Sequence, residues 1–136
     1  LQELLLARLV AMEKIVAGVH AVLPEMARLY RERLEARLKE VREGLDPARL
    51  EQEMVLFANR TDVAEELDRL NAHFAECRRV LNAGEQAGRR LDFLMQELNR
   101  EANTLASKAA DLRLTNASVE LKVLIDQMRE QIQNIE

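Results

Sequence analysis

LLARLVAMEKIVAGVHAVLPEMARLY, residues 5–30, decides the fold class. Leu5, Leu9, Met12, Val16, Val19, Leu23, Met26 and Tyr30 recur at alternating steps of four and three. That is the seam of an amphipathic helix, not the period of two that a half-buried strand requires. Leu34, Leu38, Val41 and Leu45 carry the stripe on with slightly longer steps. Pro24 falls inside the seam, where it removes one hydrogen bond and crowds the carbonyl of His20. Because the stripe keeps its phase, two readings stand: one long helix kinked at Pro24, or two helices broken near Leu23. A continuous helix would reach about 65 Å. That is long for a domain of this size and suggests an arm used in assembly.

The rest of the chain agrees with helix. Of its 136 residues 48% are hydrophobic and 32% charged, with 3% aromatic, four glycines and two prolines. Strand formers are few and helix formers abundant, so the expectation is all-α, an antiparallel helical bundle. Residues 1–45 read as the long arm or kinked pair, and residues 46–136 as the bundle carrying the polar motif. Gly44 and Asp46-Pro47 mark the boundary, with Asp46 as cap and Pro47 in the first turn. Leu50, Met54 and Phe57 supply the buried face of the next helix. Asp62 and Glu65 resemble a capping box, after which Val63, Leu67, Leu70, Phe74, Cys77 and Leu81 begin a new seam. Asn82, Gly84 and Gly88 mark a turn. A further helix from about Ala87 to about Ala110 carries Leu91, Leu94, Leu98, Ala102, Leu105, Ala109 and Leu112 on one stripe. The last helix carries Leu114, Ala117, Leu121, Leu124, Met128 and Ile135, with Ile125 and Ile132 beside them.

Charge and cysteine usage exclude as much as they imply. The formal net charge is −4, from 20 basic and 24 acidic side chains, so nothing global marks a polyanion binder. The richest basic run, Arg28, Arg31, Arg33, Arg37, Lys39 and Arg42, is interleaved with Glu32, Glu35 and Glu40. It reads as a solvated face with i,i+4 ion pairs. The single cysteine, Cys77, lies on an apolar stripe and fits a reducing, cytoplasmic setting. No apolar run approaches a membrane span. The chain opens at Leu1 already in helical pattern, which reads as a piece lacking its N-terminal part.

QELNREANTLASK, residues 96–108, is the polar exception. With Leu98 centred on the buried stripe, Asp92, Gln96, Asn99 and Asn103 fall on one flank. Glu97, Glu101, Thr104 and Lys108 fall on the other, and Arg100 lies between them on the far side. Asparagine is a mediocre helix former, so the amide flank suggests specific hydrogen bonds or zippering to a neighbour. Glu97 and Glu101 have the spacing to share a hard divalent ion, or to pair within the helix with Arg100 and Lys108. A third row, Asp62, Glu66, Arg69 and His73, offers a histidine able to bind metal or move protons near neutrality.

RLEQEMVLFANRTDVAEELDRLNAH, GRRLDFLMQELNREANTLASKAAD and the terminal VELKVLIDQMREQIQNIE together resemble the C-terminal helical region of the YicC family of bacterial proteins, from about Pro24 to Glu136. The resemblance implies a metal-dependent endoribonuclease acting on structured RNA and assembling as a ring-like hexamer, with its N-terminal domain absent here. It makes Glu97, Arg100, Glu101, Lys108 and His73 the candidate catalytic groups. Asp92, Gln96, Asn99, Asn103, Thr104, Ser107 and Arg69 become candidate RNA contacts. Glu97, Glu101, Asp62 and Glu66 become candidate ligands for Mg²⁺ or Mn²⁺. The chain departs from the family pattern at Ala109, where a serine is common after the lysine. The alternative is a non-catalytic helical module for oligomerisation and docking, favoured by the long seam and the acidic net charge.

Overall fold

The computed structural model describes residues 2–40, 46–84 and 87–134, and among them five helices and no strand. They are α1 Gln2–Glu40, α2 Pro47–Thr61, α3 Ala64–Asn82, α4 Gly88–Lys108 and α5 Leu112–Gln133. Val41, Arg42, Gly44, Leu45 and Ile135 lie outside the described residues, as do the side chains of Leu38 and Glu40.

Pro24 does not break α1, which runs unbroken for 39 residues, or about 58 Å. The reason is placement. Pro24 and His20 both face solvent, so water can satisfy the carbonyl that loses its intrahelical partner. Met26 is buried just beyond, and Glu25 pairs with Arg113 of α5 at 3.1 Å. With Val19 buried before it, the helix is held on both sides of the proline.

The predicted seams supply most of the core, though Leu23, Leu50, Met54 and Leu124 are only half-buried and Met95 joins it from outside them. Leu5, Leu9, Met12, Val16, Val19 and Met26 of α1 close against Leu67, Leu70, Phe74 and Cys77 of α3. Leu94, Met95, Leu98 and Leu105 of α4 and Leu121, Ile125, Met128 and Ile132 of α5 complete the same cluster. α4 packs between α3 and α5, and α1 closes the ring against both. The core helices of 19–22 residues span about 30 Å. Met26 is the last buried residue of α1 among the described side chains, so its final third continues past the bundle. α2 packs on that extension: Tyr30 stacks on Phe57 with ring centroids 3.6 Å apart, and Arg31 reaches Glu51 at 2.5 Å.

The helix ends follow local chemistry. Asp46 caps α2 by accepting from the Ala48 amide at 3.2 Å, with Pro47 in the first turn. Asp62 accepts from the Ala64 amide at 3.0 Å, but the capping box does not close. Glu65 turns instead toward Arg69, 3.5 Å away. Gly84 takes the left-handed conformation, φ 67°, just past the end of α3, where a side chain would be strained. Gly88 is not in that turn but starts α4.

Leu112 corrects the sequence reading. It does not extend the α4 stripe; it opens α5 and is 72% exposed. Asp111 ends the connection and accepts from the Arg113 amide at 2.7 Å, a strong N-cap. The Arg113 guanidinium hydrogen-bonded to Asp111 also holds that carboxyl below its usual range.

Candidate functional site

α3 and α4 run antiparallel, so the first turns of one meet the last turns of the other. That geometry brings the third polar row and the carboxylate flank together. Glu66 and Glu101 are 3% and 5% exposed, the two buried acids among the described residues. The Arg69 Nε donates to Glu101 Oε1 at 2.8 Å, and its Nη2 approaches Glu66 Oε1 at 3.4 Å. Lys108 Nζ donates to the same Glu66 oxygen at 2.8 Å and to the Asp62 carbonyl at 3.1 Å. Buried Glu66 and Glu101 thus form one network with Arg69 and Lys108 that clamps α3 to α4, with exposed Glu65 at its edge. The Glu101 carboxylate raises the pKa of Arg69, keeping it cationic. The other Glu66 oxygen is buried without a hydrogen-bond partner.

Those pairs differ from the pairing expected within α4. Lys108 does not reach back to Glu101, and Arg100 does not pair with Glu97. A neighbouring helix offers each buried carboxylate a cation, and burial makes that partner obligatory. Glu97, half-buried, belongs to none of these bonds. His73 is half-buried and makes no hydrogen bond or ion pair among the described residues.

A resident divalent ion does not fit this arrangement. Among the described residues no three acids, histidines or cysteines converge. Glu66 and Glu101 already face Lys108 and Arg69, and Asp62 contributes a carbonyl to Lys108 while its carboxylate caps α3. An ion held by Glu97, Glu101, Asp62 and Glu66 would first have to displace both cations.

The amide flank lies toward α5. Asp92 accepts from Gln96 Nε2 at 3.2 Å, and Arg129 stands 3.9 Å from the same carboxylate. No amide zipper to a neighbouring helix forms. Thr104 and Ser107 turn their hydroxyls onto carbonyls of their own helix, at Arg100 and Thr104.

The Glu101–Lys108 side of α4 is therefore engaged with α3, while the solvent face, which takes in Gln96 and Asn103 of the amide flank, is open. Arg89, Phe93, Gln96, Arg100, Asn103 and Ser107 are all exposed at steps of four and three. This strip runs about 27 Å along α4 and contains no acidic residue. Arg100 and Asn103 spend no side-chain donor within the described residues. Arg90, beside the strip, lies 5.5 Å over the Phe93 ring. The motif reading missed Arg89 and Phe93. The signal was available: both continue the same helical row N-terminal to Gln96.

Residues 19–136 match the family described as Endoribonuclease YicC-like, C-terminal. The chain belongs to that family. It is 56% identical over 118 residues to a Haemophilus influenzae protein named "Probable endoribonuclease YicC", covering 87% of this chain and 41% of that protein. A Clostridioides difficile protein of the same name is 40% identical over 110 residues, covering 79% of this chain and 38% of its own length. The chain thus spans about two-fifths of the curated YicC relatives it matches. No helix among the described residues is long and apolar enough to cross a membrane.

Proposed function

We propose that this chain is the RNA-contacting helical part of a YicC-type endoribonuclease that cleaves phosphodiester bonds in structured RNA. The observation that carries this reading is the acid-free strip on α4 of a chain whose net charge is −4. Arg89 and Arg100 supply phosphate contacts, while Gln96, Asn103 and Ser107 offer donors and acceptors to backbone or base edges. Glu66, Arg69, Glu101 and Lys108 position the strip by fixing α4 on α3. They act through the helix rather than on the scissile phosphate. Glu97, half-buried beside the strip, is the carboxylate best placed for chemistry. The divalent-ion dependence expected for the family resides on groups outside the Glu66–Glu101 network.

The test is RNA binding as a function of salt. Arg100→Ala and Arg89→Ala should each weaken binding to a hairpin RNA and lower the log–log salt slope by about 1. An unchanged slope in both variants would remove the strip from the interface.

A second reading concerns assembly. Leu112, Val119 and Val123 form an exposed apolar row on α5. We assign it to contact between copies, in line with the hexamer expected for the family. Light scattering on Val119→Glu/Val123→Glu should give a smaller particle than the unmodified chain.

A further inference from the structure

Beyond the strip, its C-terminal end borders a cleft of about 290 Å³ lined by Tyr30, Phe57, Arg60, Thr61 and residues 107–110. We propose that this cleft takes one unstacked nucleotide of single-stranded RNA, a subsite distinct from the α4 strip. The inference rests on the RNA reading above and adds a substrate form to it.

The lining has the chemistry of a base pocket. The chain holds one tyrosine and three phenylalanines. Tyr30 and Phe57 stack at this junction with ring planes within 4° of parallel. The stack fixes Tyr30 as a rigid edge of the cleft. Unstacked bases are held on such aromatic groups, largely without sequence preference. Arg60 stands at the rim, exposed and without an ion pair among the described residues. Lys108 donates two hydrogen bonds, to Asp62 and Glu66, and an ammonium carries three donors. One donor therefore remains for a ligand.

Two helix C-termini, those of α2 at Thr61 and α4 at Lys108, also meet at the cleft. Their last carbonyls are acceptors, and their dipoles disfavour an anion. A bare phosphate is therefore a poor occupant of the interior. A nucleobase matches it better, offering amino or imino donors to the carbonyls and acceptors to Lys108. The nucleotide's phosphate then stays outside against Arg60. The volume lies at the small end of the range for ligand clefts, which suits one base and not a helical stem.

Because Tyr30 is the sole tyrosine, 3-fluorotyrosine gives one ¹⁹F resonance that reports this cleft. The 136-residue chain is titrated at low salt with a single-stranded oligoadenylate of ten nucleotides and with an RNA duplex of equal length. The single strand should move the resonance; the duplex should bind without moving it. Arg60→Ala, a surface change that leaves the fold intact, should weaken single-strand affinity roughly tenfold and leave duplex affinity unchanged. Tyr30→Leu should do the same. If the strand binds with the resonance unmoved and Arg60→Ala without effect, the cleft is not a nucleotide site while the RNA reading stands. If neither RNA binds, the RNA reading falls and the cleft assignment with it.

Discussion

Removing Arg69 should expose the role of the buried network. Glu101 is 5% exposed and has Arg69 as its partner, at 2.8 Å. Deleting one member of a buried ion pair costs roughly 3–5 kcal/mol, because the other charge stays buried and unpaired. The Arg69 side chain is 46% exposed, so water reaches part of the gap. The expected loss for Arg69→Met is therefore about 2–3 kcal/mol. For a chain of this length that lowers Tm by roughly 6–15 °C. Glu66 keeps Lys108 and adds little to the loss. Adding Glu101→Leu removes the stranded charge, and the double variant should return to within about 1 kcal/mol of the parent. Urea unfolding of the four members of this cycle gives the coupling directly, expected near 2 kcal/mol. If Arg69→Met costs under about 0.5 kcal/mol, or the two changes simply add, the buried network does not hold α3 to α4.

A hydrogen bond from Arg79, helped by the charges of Arg79 and Arg90, lowers the pKa of Glu76 to about 2. That stabilisation is complete above its unfolded value of 4.5 and is lost as pH falls through about 2; Glu76→Gln should flatten the stability profile in that window, read by acid titration of the far-ultraviolet signal. Burial pushes the Cys77 thiol up to about 12, so native protein should resist a thiol-specific disulfide reagent at pH 8 and react fully in urea. Phe57→Ala should speed amide exchange in α2, where Phe57 is the buried residue, by at least tenfold while leaving α3–α5 protected. Leu112→Asn should change the stability of the dissociated chain by less than about 0.5 kcal/mol, because the side chain stands in water there, while weakening contact between copies.

The core was legible because burial imposes a period. Every apolar residue on the α3 seam from Val63 to Leu81 is buried as the spacing predicts. α1, α4 and α5 follow the same rule where their stripes face the bundle. Boundaries set by one cap were harder. Leu112 keeps the α4 phase, and only the Asp111 cap, read locally, separates the two helices. The fate of Pro24 was open for a similar reason. Its cost depends on whether the carbonyl at His20 faces water, which no single-helix pattern reveals.

The polar block was visible but its partners were not. One helix taken alone offers only partners one or two turns away, such as Arg100 for Glu97 and Lys108 for Glu101. The partners actually used, Arg69 and Glu66, sit 32 and 42 residues away. Only the antiparallel packing of α3 on α4 supplies them. The amide flank shows the converse. Its unusual composition suggested a zipper, yet Gln96 satisfies itself on Asp92 within one turn and Asn103 faces solvent.

The most direct measurement compares Glu101→Gln with Arg100→Ala in a longer protein carrying this chain, scoring RNA cleavage and Tm together. If the buried pair positions α4 and the open face contacts RNA, Glu101→Gln lowers Tm and leaves cleavage within a few-fold at a temperature where it is folded. Arg100→Ala then leaves Tm unchanged and lowers cleavage at subsaturating RNA by about fivefold or more. Loss of cleavage in Glu101→Gln at unchanged Tm, with Arg100→Ala fully active, would contradict the account and return Glu101 to the chemistry.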